Sequence, residues 1–256
     1  MSLRSAIVTG AASGIGRAIA IRLAADGFDV LAADIRRDPI TGGEPTDEVI
    51  RAAGGSAVHV DADVSDPAAC DALVAAAVAR TGALDLLVNN AVLAGDHSKA
   101  LLDTEPEDWD AMMAVNLRGP YLLCRAAVRQ MLTQEPVGDA RGRIVNITSQ
   151  HGMVGCPGHF TYSVGKGGLI QMTRQIAVDY GPQGILCNAV APGKIVTGTP
   201  GDLSAEEQGL AYVKSRTPFP RLGRSEDVAA AVAFLANEAS YVSGTNLMVD
   251  GGWMAY

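Results

Sequence analysis

The sequence predicts an α/β protein built on a doubly wound, mostly parallel, seven-stranded sheet. Two observations point there. Short apolar, β-branched runs alternate with longer segments of helical period, as in strand–helix–strand crossover units. The strand runs are apolar almost throughout, which suits a sheet covered on both faces.

The elements follow in order. Ala6-Ile7-Val8 begins the sheet and runs into a glycine-rich turn that opens a helix over 15–26. Val30-Leu31-Ala32-Ala33 is the second strand and Ala57-Val58-His59-Val60 the third, with a helix over 67–80 after it. Leu84–Val88 precedes a long helical pattern at 107–134, and Arg143–Ile147 precedes another at 162–180. Ile185–Val190, a helix over 225–237 and Asn246–Val249 close the series. Residues 38–46 and 134–142 carry the Pro, Gly and Asp of surface turns. The stretch 197–220 has little strand character and three prolines, and reads as a small flap over a pocket. No linker or repeat divides the chain, so residues 1–256 are expected to form a single domain.

Composition narrows the function classes. The net charge is −8, which disfavours a nucleic-acid or anionic-membrane surface. No apolar stretch approaches the roughly 20 residues of a membrane span. The start, Met1-Ser2-Leu3-Arg4-Ser5, lacks signal-peptide layout, so a cytoplasmic location is expected. Cys70, Cys124, Cys156 and Cys187 are widely spaced with no CxxC pair or Cys/His cluster, and no metal site is expected.

After the first strand comes Thr9-Gly10-Ala11-Ala12-Ser13-Gly14-Ile15-Gly16. Glycines there let the backbone turn tightly and approach a pyrophosphate at a helix N-terminus, the signature of a Rossmann-type dinucleotide site. Asp34 ends the second strand at about the 20-residue separation of NAD-binding units. Its carboxylate would accept from the adenosine ribose hydroxyls and repel a 2′-phosphate, which favours NAD. Arg36 and Arg37 follow and could instead welcome that phosphate.

Tyr162-Ser163-Val164-Gly165-Lys166 places a phenol and an ammonium four apart on one helix face. A nearby cation favours the phenolate, so the Tyr162 pKa is expected to fall from about 10. Such a tyrosine can exchange a hydroxyl proton while hydride moves.

With these motifs in place, the sequence resembles the short-chain dehydrogenase/reductase family nearly end to end. The glycine turn matches its TGxxxGxG form, and Asp63-Val64 resembles its adenine contact. Asn90 and Ala91 lie in the Asn-Asn-Ala segment beside the cofactor. Pro192-Gly193, Ile195 and Thr197 match the segment that holds the nicotinamide carboxamide. Val249-Asp250-Gly251-Gly252 resembles the family's C-terminal signature. The resemblance implies four catalytic residues. Tyr162 is acid/base, Lys166 holds the nicotinamide ribose and tunes Tyr162, Ser149 binds the substrate oxygen, and Asn116 supports a relay water. Gly10, Ser13, Gly14, Ile15, Gly16, Asp34, Tyr162 and Lys166 complete the implied cofactor contacts. A homotetramer is also implied, with the 107–134 and 162–180 helices and the last strand as contacts. Val92 departs from the family's usual glycine after Asn-Asn-Ala. Either the loop differs or the position has ordinary dihedrals.

The expected activity is hydride transfer between NAD and a secondary alcohol or carbonyl of a small-molecule substrate. Reduction of 3-oxoacyl thioesters is the enzymatic alternative, and a non-catalytic NAD sensor or scaffold is the alternative of another class. Asp96, His97, Gln150, His151, His159 and Lys194 make a polar pocket set, whereas the flap Gly198–Arg216 offers Leu203, Leu210, Tyr212 and Val213. A sugar or polyol fits such a pocket better than a long acyl chain.

Overall fold

The computed structural model describes residues 3–93, 99–198 and 207–255, with backbone alone at 207–210 and 212. In chain order the elements begin β1 (Arg4–Thr9), α1 (Gly14–Ala25), β2 (Phe28–Asp34), α2 (Thr46–Ala52), β3 (Ser56–Asp61), α3 (Pro67–Thr81) and β4 (Leu86–Asn89). They continue with α4 (Pro106–Met113), α5 (Gly119–Met131), β5 (Gly142–Ile147), α6 (Phe160–Tyr180), β6 (Ile185–Pro192) and β7 (Ile195–Val196). Last come α7 (Glu207–Arg216), β8 (Gly223–Arg224), α8 (Ser225–Asn237) and β9 (Asn246–Val249).

Seven strands form one parallel sheet in the order β3-β2-β1-β4-β5-β6-β9. The chain winds outward from β1 to β3, then crosses back to lay β4 on the other side of β1. That reversal opens a crevice at the carboxyl ends of β1 and β4, where α/β sheets bind ligands. On one face Ile19 and Leu23 of α1 pack with Val228 and Val232 of α8 over Val8 and Val145. On the other, Leu73 of α3 and Leu123 and Met131 of α5 cover Leu87 and Ile144. All seven expected strands are present.

Two differences from the sequence reading bear on the site. Residues 46–52 form α2, announced by Pro45 and by Asp47 and Glu48 in the first turn. The continuous helix expected over 107–134 is instead α4, a five-residue π turn at Ala114–Arg118, and α5. Pro120 explains part of this, since it has no N–H to return to the Asn116 carbonyl four residues back. Gly119 packs on Val64 so closely that a Cβ would lie 2.9 Å from Val64 Cγ2.

Candidate active site

The phosphate end is built from β1, α1 and the loop after β4. Gly14 has φ +53°, and Gly16 lies so close to the Gly10 carbonyl and the Asn90 amide that any side chain would collide with both. Asn90 Nδ2 donates to the carbonyls of Thr9 at 2.8 Å and Gly10 at 3.2 Å, and thereby braces the turn. Thr9 Oγ1 accepts from the N–H groups of Asn90 and Ala91, each at 3.0 Å. Ser13 caps α1 in position only, because its Oγ accepts from Ile40 N at 2.8 Å rather than from the helix. No acidic side chain occupies the first turn of α1. Its leading N–H groups and dipole therefore face the crevice without an internal anion, and the residues present fit a diphosphate. Gly14, Arg17, Thr41 and Thr197 line a cavity of about 560 Å³ beside this helix start.

At the end of β2, Asp34 accepts from Ala12 N at 3.0 Å and Arg36 N at 3.3 Å, which aims the carboxylate toward the glycine turn. Arg37 is turned away, paired with the buried Asp47 at 3.0 Å and with Glu48 at 2.7 Å. Of the two arginines that the sequence leaves open for a 2′-phosphate, Arg37 is thus committed to α2. Asp63, two residues beyond β3, accepts from Ser65 N and Oγ, both at 2.8 Å, while Val64 is buried against Gly119.

The chemical end gathers at the carboxyl ends of β4, β5 and β6. Ser149 follows β5 and is 7% exposed, and Lys166 on α6 is 3% exposed. The Lys166 ammonium donates to the Ile147 carbonyl at 2.7 Å and lies 5.7 Å from the Tyr162 ring centroid. Burial brings its pKa down to about 8. Tyr162 stands otherwise than the sequence leads one to expect. Burial raises its pKa above the usual tyrosine value, and a hydrogen bond with Ser149 only partly offsets this. Taking a phenolate out of water costs more here than its Ser149 hydrogen bond returns.

Asn116 is fully buried in the π turn, and its side chain clamps the Leu93 backbone: Leu93 N donates to Oδ1 at 2.8 Å and Nδ2 donates to Leu93 O at 2.9 Å. The amide is therefore committed to the loop after β4. Its main-chain carbonyl meets Pro120, which has no N–H, four residues on. Val92, in place of the usual glycine, has an ordinary negative φ and is half exposed, so the loop needs no special conformation.

Pro192 ends β6. Gly193 N donates to Val249 O at 2.9 Å, and a Cβ on Gly193 would lie 2.7 Å from the Asp250 backbone. Ile195 is buried in β7, and Thr197 borders the cavity at α1. Gln150, His151, His159 and Lys194 fall near Ser149 and Tyr162, while Asp96, His97, Leu203 and the side chains of Leu210 and Tyr212 lie outside the described residues. Sequence reasoning missed Thr9 and Thr46. Thr46 Oγ1 donates to the Ala11 carbonyl at 2.8 Å, and its position at the start of an unrecognised helix hid it.

Comparison with known proteins decides the family. Residues 10–254 match a family model described as enoyl-(acyl carrier protein) reductase. A 2-(R)-hydroxypropyl-CoM dehydrogenase from Xanthobacter autotrophicus is 41% identical, over 98% of this chain and 99% of that protein. The chain belongs to the short-chain dehydrogenase/reductase family. Another member, glucose 1-dehydrogenase 2 of Bacillus subtilis, is 39% identical over 99% of this chain and 95% of its own. Among solved structures, one from Agrobacterium tumefaciens superposes with a TM-score of 0.85 at 35% identity, over 99% of this chain and 97% of that one. It is provisionally assigned as a 2-deoxy-D-gluconate 3-dehydrogenase and holds NADP. As a short-chain dehydrogenase/reductase, the chain is an oxidoreductase that uses a nicotinamide cofactor on alcohol or carbonyl groups.

Proposed function

We propose that this short-chain dehydrogenase/reductase oxidises a secondary alcohol of a small polar substrate, such as a sugar or polyol, with NAD as preferred acceptor. The observation that carries the reading is the convergence of Ser149, Tyr162 and Lys166 at the carboxyl edge of the same parallel sheet whose β1 leads into the uncapped start of α1. Bound nicotinamide supplies the hydride acceptor, or the donor in the reverse direction. Ser149 holds the substrate oxygen, Tyr162 takes its hydroxyl proton, and Lys166 holds the nicotinamide ribose and stabilises the phenolate. The Asn116 carbonyl holds a water that passes the proton toward solvent. The chain serves as a single domain, with the stretch 197–220, of which 199–206 lie outside the described residues, as its flap.

The choice of NAD rests on Asp34 and on the engagement of Arg37 by Asp47 and Glu48. The relative from Agrobacterium tumefaciens holds NADP, so cofactor choice is the point at which this enzyme is expected to part from that neighbour. The polarity of Gln150, His151 and His159 supports the substrate class. Initial rates with NAD and NADP against sugars, polyols, simple alcohols and acetoacetyl thioesters test both. NAD with a sugar or polyol should give the highest kcat/KM, and a clear preference for thioesters would establish the 3-oxoacyl reductase instead. Asp34→Ala should narrow the preference for NAD over NADP by about tenfold, a loss of one carboxylate interaction and one repulsion. An unmodified enzyme that prefers NADP refutes the role given to Asp34.

A homotetramer and a cytoplasmic location complete the reading. Tyr121 and Leu132 are exposed large hydrophobics on or just beyond α5 and border an apolar groove with Val128, Met172 and Ile176, which supports pairing of α5 and α6 between copies. The four cysteines are free and three are buried, as suits a reducing compartment. Light scattering of the purified protein reads the assembly directly.

A further inference from the structure

Two imidazoles stand beside Ser149 and Tyr162 and take no part in the proton path. His151 is tied to the substrate-binding hydroxyl through its backbone, since its N–H donates to Ser149 Oγ at 3.1 Å. His159 immediately precedes α6, and its ring lies 6.2 Å from the Tyr162 ring in an edge contact. The two imidazoles are 5.7 Å apart, centroid to centroid. Trp253 meets the His151 ring at 6.1 Å, also in an edge contact, and the Arg216 guanidinium is engaged 4.8 Å over its indole. Both histidines are half-buried, so a polar atom left unmatched there is costly.

Burial above all, with Lys194 nearby and His159 acting on His151, holds both rings below the usual histidine value, His151 at about 4. Each is therefore a neutral imidazole near pH 7, with one N–H donor and one bare acceptor nitrogen. For His151 the neighbouring amide sets the tautomer. Gln150 Nε2 lies 3.3 Å from His151 Nε2, and an amide nitrogen can only donate. The bare nitrogen of His151 is thus Nε2, and its proton sits on Nδ1. Among the described residues, no hydrogen-bond partner meets His151 Nδ1 or either ring nitrogen of His159, and all three stay open to solvent. A hydroxyl oxygen bonded to one nitrogen of each ring would stand about 4 Å from each centroid. The 5.7 Å separation then sets about 90° at that oxygen, near the angle between its O–H and a lone pair. One hydroxyl group can therefore bridge the pair, accepting from His151 Nδ1 and donating to His159.

We propose that His151 and His159 receive the hydroxyl group next to the reacting carbinol, so that the enzyme selects vicinal diols, and α-hydroxy ketones in the reverse direction. The neighbouring position follows from the rings, because His159 adjoins the Tyr162 that holds the first oxygen. A neutral pair suits a neutral hydroxyl, which needs a donor and an acceptor together. A carboxylate or phosphate in its place would set an anion against the bare nitrogen of His159. The oxidation itself is unchanged, with hydride passing from the carbinol carbon to the nicotinamide and the hydroxyl proton to Tyr162. This inference rests on the dehydrogenase reading above and narrows its substrate class.

The test compares kcat/KM with NAD for propylene glycol, glucose and ribose, each against its counterpart without the neighbouring hydroxyl: isopropanol, deoxyglucose and deoxyribose. At least one diol should exceed its counterpart by about tenfold, the scale of one hydrogen bond. Propylene glycol methyl ether, whose second oxygen accepts but cannot donate, should fall toward isopropanol. These comparisons use the unmodified enzyme and need no variant. Combined His151→Leu and His159→Phe should bring the diol ratio close to one, chiefly through KM. His159→Gln, which keeps a donor and an acceptor, should retain most of it, and NADH titration by fluorescence shows that each variant is folded. Diols used no better than their counterparts, a methyl ether used as well as the diol, or a preference that survives the double substitution would each overturn the inference while leaving the dehydrogenase reading intact. NADH binding without turnover of any member, or turnover of acetoacetyl thioesters alone, would overturn both.

Discussion

Lys166 shows how a buried residue serves chemistry at a cost to the fold. Its pKa of about 8 lies below the ordinary lysine value of 10.5, because burial disfavours the ammonium. Between those values the unfolded chain binds more protons than the folded one, so stability should rise with pH across that window. Lys166→Met removes the titration. The Tm advantage of wild type over this variant should therefore grow, or its deficit shrink, as pH rises from 7 to 10, as read by thermal melts at each pH. A difference independent of pH would show that Lys166 is not desolvated as described. Tyr162 titrates the other way in activity. Its raised pKa means that oxidation, which needs the phenolate, should gain kcat/KM steadily into the alkaline range, while carbonyl reduction should fall. A profile flat from neutral to alkaline pH, with hydride transfer rate-limiting, would contradict Tyr162 as base. The Tyr/Lys pair was legible in the sequence because four-residue spacing sets two side chains on one face. The direction of the Tyr162 shift was not, since spacing carries no measure of burial.

At the scale of elements, the sequence pattern revealed strands better than helix interruptions. Apolar β-branched runs such as Ile144-Val145 have few alternatives to a buried strand, and all seven appear in one sheet. Helical period over 107–134 concealed the π turn, because the residues on both sides of it are helical and the slip is confined to one turn. Only Gly119-Pro120 marked it. The consequence reaches the site, since the π turn carries the fully buried Asn116 whose amide holds both backbone groups of Leu93. Asn116→Ala should leave those groups unpaired and lower stability by about 1–3 kcal/mol in denaturant unfolding. It should also loosen the loop after β4, with hydrogen exchange at the Leu93 amide as the local readout. Unchanged protection there would mean that the clamp is not what orders the loop. Helix α2 was missed for a different reason. At seven residues it is too short for a periodic signal, and only Pro45 and its acidic first turn announce it.

The whole molecule explains why these residues, scattered from Gly10 to Thr197, act together. All seven strands of the main sheet are parallel, so every carboxyl end faces the same side. The order reverses between β1 and β4, and that side opens there. The glycine turn and Asp34 lie to one side of the opening, and Ser149, Tyr162, Lys166 and Gly193 lie to the other. In the proposed reading a dinucleotide spans this crevice, with its phosphates on α1 and its reactive ring beside Ser149. The central claim is that Tyr162 moves the proton while the cofactor site stands independently of it. The most direct measurement sets the kcat/KM of Tyr162→Phe beside its NADH affinity, titrated by fluorescence on the same preparation. The account requires a loss of activity of about 10²–10⁴-fold with NADH affinity nearly unchanged. Activity close to wild type in the Phe variant, or a parallel collapse of NADH binding, would contradict it.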